Sequence, residues 1–91
     1  SHTYVRDWDF IGTVDSWENG VAHCTQRGKF NLGDSIEVLQ PDGSVVTLTP
    51  EWIKNAEGEC VDATPHPMMQ YTIPCATPLM PYSLLRMRKP E

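Results

Sequence analysis

From Ser35 to Val38 the chain alternates. Ile36 and Val38 point one way and Ser35 and Glu37 the other, which is the period of a half-buried strand. Just before it, Phe30-Asn31-Leu32-Gly33-Asp34 reads as a connection and turn. Gly33 there supplies a positive φ, and Asp34 bonds nearby backbone. Just after it, Pro41-Asp42-Gly43 is a strong turn signal, because Pro sets φ, Asp bonds locally and Gly tolerates the left-handed region. The same reading predicts strands over residues 10–17, 21–26, 35–40, 45–49, 59–63, 68–73 and 84–89. Glu18-Asn19-Gly20 joins the first two as a hairpin. In the last strand Leu85 and Met87 face in, while Arg86 and Arg88 face out.

One short helical turn is expected over residues 49–55. Thr49 can cap it, Pro50 suits the first helical position, and Glu51 faces the positive end of the dipole. Trp52 within it is expected to plug one end of the core. Pro65 and Pro67 around His66 predict a rigid extended corner. The architecture that follows is all-β: a closed or nearly closed barrel of about six to seven short strands with one helical turn. Closure would also remove sheet edges that a small domain must otherwise protect.

Ninety-one residues allow one domain with a modest core, over residues 1–91 with residues 1–8 as a loosely ordered lead-in. Ser1-His2 reads as an expression remnant and carries no weight. The apolar share of 40% suits a globular fold, and no run is long enough to span a bilayer. With no signal-peptide pattern at the start, a cytoplasmic protein is expected. Cys24, Cys60 and Cys75 are odd in number and widely spaced, which fits reduced thiols and not a disulfide scaffold. A net charge of −5 disfavours tight independent binding to nucleic acid, whose phosphate affinity is mostly electrostatic. The basic residues are nevertheless clustered, at Arg27 and Lys29 and again at Arg86, Arg88 and Lys89.

Three motifs carry a resemblance. Gln26-Arg27-Gly28-Lys29-Phe30-Asn31-Leu32-Gly33-Asp34-Ser35-Ile36-Glu37-Val38, Asp62-Ala63-Thr64-Pro65-His66-Pro67-Met68-Met69-Gln70 and Tyr82-Ser83-Leu84-Leu85-Arg86-Met87-Arg88 run in order along the chain, after an opening Asp9-Phe10-Ile11-Gly12-Thr13-Val14. Together they resemble the C-terminal domain of the collagenase-like peptidases, the U-class family numbered thirty-two. Thr64 stands where that motif usually has Ala, and Gly28 where Asn is common. The resemblance implies a small β-barrel, similar to those of translation factors, attached to a larger N-terminal catalytic region similar to a TIM barrel. It implies a parent enzyme that is a peptidase, or one of the relatives that hydroxylate RNA bases with an iron–sulfur cluster. The cluster's cysteines would belong to the N-terminal region, so no cofactor is expected in this domain.

The residues themselves offer little chemistry. No Cys-x-x-Cys announces a metal. His23 and Cys24 are adjacent on a predicted strand and so face opposite ways. A Cys–His nucleophile pair with His23 or His66 as base has no local signature. The chain alone is therefore expected to be non-catalytic. Its expected role is to position a macromolecular substrate, protein or RNA, for the N-terminal region. The rival is an interdomain or intersubunit assembly module that touches no substrate. Contact residues for substrate or partner are expected at Arg27, Lys29, His66, Arg86 and Arg88, while Phe30, Gly33, Asp34, Pro65 and Pro67 hold the backbone. Trp8, Trp17 and Trp52 are either base-stacking platforms or core residues. No membrane partner is expected.

Overall fold

The computed structural model describes residues 8–88. It contains β1 (Trp8–Glu18), β2 (Val21–Gln26), β3 (Ile36–Leu39), β4 (Val45–Leu48), β5 (Ile53–Asn55), β6 (Cys60–Val61), β7 (Gln70–Pro74) and β8 (Leu84–Arg88). All pair antiparallel in one sheet of order β4-β3-β8-β1-β2-β7-β5-β6. The all-β expectation holds. Lys89 of the predicted last strand and all but Trp8 of the predicted lead-in lie outside the described residues, and Trp8 itself opens β1.

β1 is the spine. Its first half pairs with β8, from Trp8↔Arg88 to Thr13↔Leu84, and its second half with β2, from Gly12↔Gln26 to Glu18↔Val21. Two register shifts, between Phe10 and Gly12 and between Val14 and Ser16, bend the strand. Such irregularities increase the local twist, and this curls the sheet around one apolar face. Ile11, Val14, Ile36, Val38, Ile73 and Leu85 are buried there. Phe30 meets Tyr71 edge-on, with ring centroids 5.7 Å apart.

Closure and the helical turn are both corrected. The ladder is not closed: β4 and β6 end it, and no pairing joins them among the described residues. The strand connections meet instead. Asn31 bridges Ala63, the Leu32 amide donates to the Asp62 carbonyl (2.8 Å), and the Thr64 amide donates to the Phe30 carbonyl (3.0 Å). With β6 only two residues long, there is too little strand to pair with β4. Nor is there any helix among the described residues. Ile53 is fully buried in β5, where Lys54 pairs with Thr72 and Ile53 with Val61. The cap residues were suitable, but so short a segment cannot offset the cost of helix nucleation. Asn55 turns the chain, its side-chain oxygen accepting from the Glu57 and Glu59 amides (3.0 and 2.9 Å). Trp52 is half-buried before β5, with the Lys54 ammonium 5.1 Å from its ring centroid.

Around Phe30 the expected turn chemistry is present. Gly33 has φ +96°, and Asp34 accepts from the Asn31 amide (2.8 Å) through Oδ2. Phe30 is buried, whereas Leu32 is exposed. Pro65-His66-Pro67 does not stay extended. His66 to Met69 closes a turn, the Met69 amide donating to the His66 carbonyl (3.1 Å), with Met68 at φ +62°.

Candidate functional site

The polar face of β3, β8 and β1 carries a stacked cluster. Register places Arg86 opposite Glu37 on one side and opposite Phe10 on the other, and Arg88 opposite Trp8. Nε and Nη2 of Arg86 both donate to Oε1 of Glu37, at 3.2 and 2.9 Å. The same guanidinium lies 4.2 Å from the Trp8 ring centroid, and that of Arg88 lies 5.6 Å from it. Two cations thus share one indole, whose negative π face attracts them. Arg86 is half-buried and neutralised by Glu37, whereas Arg88 is exposed. Arg86 therefore holds the indole in place, and Arg88 is the cation presented to solvent.

Arg27 lies across β1 from this cluster. Its amide donates to the Ile11 carbonyl (2.9 Å), level with the Trp8–Gly12 stretch that faces Arg86 and Arg88. Its side chain lines a shallow groove with Thr13, Asp15, Leu84 and Tyr82. Asp15 is already engaged, accepting from the Thr25 hydroxyl (2.6 Å). Phe10 and Leu84 are exposed on the same side. Lys29 is exposed in the β2–β3 connection and makes no contact with the stacked cluster. His66 is not brought to the arginines' groove. It lines another, with Asn55, Asp62 and Gln70. Trp17 is not a platform: its Nε1–H donates to the Cys75 carbonyl (2.8 Å) and its ring packs on the core.

The sequence profile of the Peptidase family U32 C-terminal domain matches residues 6–86. The chain belongs to this family. The U32 C-terminal domain is also the subject of two similar crystal structures, both from a Geobacillus thermoleovorans protein assigned to the U32 peptidases. One is a selenomethionine variant, 31% identical with a TM-score of 0.80, the match covering 89% of this chain and 99% of that one. The other is 28% identical with a TM-score of 0.81, covering 99% and 100%. A curated relative, tRNA hydroxylation protein P1 of Bacillus subtilis (strain 168), is 28% identical over 90 residues. The match covers 97% of this chain but only 21% of that protein.

Thr64 and Gly28 each have a packing reason in this U32 domain. Thr64 is fully buried, and its hydroxyl accepts from the Phe30 amide (3.1 Å) while its carbonyl accepts from the Gln26 side chain (2.6 Å). A Cβ at Gly28 would sit 2.8 Å from the Phe10 carbonyl oxygen. Composition and spacing do not reveal either constraint, because the partners lie far along the chain.

Among the described residues no three His, Cys, Asp or Glu side chains converge as metal ligands. His23 is exposed and Cys24 buried, on opposite faces of β2 as expected. Burial pushes the Cys24 thiol far above its ordinary range, and the Asp15 carboxylate adds to the effect. Burial also raises Cys75, whose Sγ contacts the Thr77 carbonyl at 3.2 Å. Protonated, buried thiols are poor nucleophiles and poor cluster ligands. Cys60 is exposed on β6, apart from the core thiols. No helix among the described residues is long and apolar enough to cross a membrane.

Proposed function

We propose that this domain is a non-catalytic module, without a cofactor of its own, that positions RNA for a catalytic region elsewhere in the same protein. The observation that carries the reading is the Trp8 indole stacked by Arg86 and Arg88, with Arg27 across β1. A flat ring beside fixed guanidinium groups suits a sugar–phosphate chain with unpaired bases, since rings stack on bases and cations neutralise phosphates. The relative named for tRNA hydroxylation supports RNA as the substrate class. That relative is about five times the length of the match, which leaves room for chemistry outside a domain of this kind. The net charge of −5 suits positioning and not capture: affinity of the domain alone is weak and falls with salt.

The experiment compares the full-length protein with a version lacking this domain, and with Trp8→Ala and Arg88→Ala, on transfer RNA and on a protein substrate. RNA modification falls with deletion and with each substitution, while any proteolysis stays unchanged. Equal RNA modification by all four proteins rejects the reading.

A docking role for the same face has its own observation. Phe10 and Leu84 are 48% and 40% exposed between the arginines, as apolar contacts at a domain interface would be. In that case the Phe10→Ser, Leu84→Ser variant separates the domain from the rest of the protein in limited proteolysis, with RNA affinity of the isolated domain unchanged.

A further inference from the structure

Tyr82 is the most exposed large hydrophobic side chain among the described residues, at 85%, and it has a positive φ of +70°. The backbone beneath it is tied down. Its amide donates to the Val14 carbonyl (2.9 Å), and the Val14 amide donates to the Ser83 carbonyl (2.8 Å). Ser83 is fully buried, its hydroxyl donating to the Met80 carbonyl (2.6 Å). Pro81 precedes Tyr82, so Tyr82 takes the third position of a Pro-containing turn, a place that turns with positive φ normally give to Gly or Asn. An L side chain there strains the backbone. Packing does not repay that strain, because the ring buries almost none of its surface. A rigid turn thus presents an uncovered aromatic ring at the rim of the groove that Arg27 lines with Thr13 and Leu84.

We infer that Tyr82 is a stacking platform for one unpaired RNA base, with Arg27 taking the adjoining phosphate. The inference deepens the RNA reading above and rests on it. A phenol face stacks on any base, and a nearby guanidinium meets the backbone that follows it. Asp15, on the groove wall, keeps phosphate to the Arg27 side by charge repulsion. Base-paired RNA has no free base to offer, so this site selects single-stranded segments, loops and splayed nucleotides.

The test uses this chain at low salt with two probes: a single-stranded pentaribonucleotide carrying central 2-aminopurine, and a blunt RNA duplex of mixed sequence. Wild type quenches the 2-aminopurine on binding. Tyr82→Phe keeps affinity within about twofold, whereas Tyr82→Gly and Tyr82→Ala lose roughly five- to a hundredfold, with the quench abolished. Arg27→Gln weakens binding but leaves the quench of the bound probe. Duplex affinity is the same for wild type and the Tyr82 variants. Tyr82→Gly also melts at or above the wild-type temperature, since glycine removes the backbone strain, and a structural tyrosine would not behave so. If Tyr82→Gly binds the single strand like wild type, or melts lower, the stacking role is overturned while the RNA reading stands. If wild type binds neither probe nor transfer RNA, the RNA reading itself falls and takes this inference with it.

Discussion

The Tyr71 hydroxyl lies 2.9 Å from the point a Cβ on Gly12 would occupy. The Thr25 carbonyl oxygen is equally close to that point, and the Leu85 Cδ1 is at 3.1 Å. Gly12 is thus the place where β1 lets the core ring of β7 pass beneath it. The same hydroxyl is buried, and the polar group it meets is the weakly hydrogen-bonding Cys24 thiol.

Two outcomes follow for this pair. Gly12→Ala overpacks the core and costs about 1–3 kcal/mol. Tyr71→Phe removes a buried hydroxyl that meets no stronger partner than the Cys24 thiol, and is neutral or stabilising by about 1 kcal/mol. The double variant is less destabilised than the sum of the two, because the removed oxygen is one of the colliding atoms. Urea unfolding of the four proteins measures all three quantities. A strictly additive double variant would show that the Thr25 carbonyl, not the phenol, sets the limit.

Gly33 tests backbone strain without packing. At φ +96° nothing lies within 4 Å of its would-be Cβ, so a side chain there meets only a conformational penalty. Gly33→Val is expected to cost roughly 1–3 kcal/mol, and Gly33→Asn less, since Asn tolerates the left-handed region. Thermal melts rank the three proteins. Equal melting temperatures would contradict the positive φ.

Thr64→Val keeps the shape of a buried side chain and removes its oxygen. The Phe30 amide then loses its side-chain acceptor beside the core, at a cost of about 1–3 kcal/mol. Amide exchange at Phe30 should quicken along with the lower denaturation midpoint. A lower midpoint with unchanged exchange would place the cost in packing instead.

Cys24 sets a pH dependence. Burial raises its folded pKa above the ordinary 9.0, so the folded state keeps a proton that the unfolded chain releases. Its contribution is whole below the unfolded pKa and is lost as pH rises from there towards the folded value. Stability should therefore fall between pH 8 and pH 9.5, and Cys24→Ala, though less stable overall, should show a shallower fall. Chemical denaturation at the two pH values decides it, and equal slopes would remove Cys24 as the cause.

Much of the strand pattern was legible because its causes are local. The alternation of Ile36 and Val38, the Asn19-Gly20 turn with φ of +52° and +81°, and Gly33 all depend on neighbours in sequence. β5 was not legible. Ile53 is its one buried side chain, and its burial comes from pairing with β6 and β7, while the flanking residues also suit a helix start. The open ladder was hidden too, since strand counts do not reveal which ends meet. In the candidate site, Arg86 and Arg88 look equivalent from their spacing. Glu37, 49 residues earlier, makes one a fixed strut and leaves the other exposed. Tyr82 was not legible either, because nothing in Pro81-Tyr82 announces a positive φ.

That division between the two arginines gives the last prediction. Arg86→Ala leaves the Glu37 carboxylate half-buried without its partner and takes the strut from Trp8. For a pair about a quarter exposed, solvent screening keeps the stability cost modest, about 1 kcal/mol. Arg88→Ala removes an exposed cation with no acidic partner among its ring contacts, so stability stays within about 0.5 kcal/mol. For RNA the order differs. Arg88→Ala lowers affinity evenly across sequences and reduces the salt slope by about one phosphate contact. Arg86→Ala lowers affinity through the displaced indole, with little change in slope, because Glu37 already neutralises that charge. Titrations of transfer RNA at several salt concentrations, beside thermal melts, separate the two. A larger loss of slope from Arg86 than from Arg88 would reverse the assignment and make Arg86 the phosphate contact.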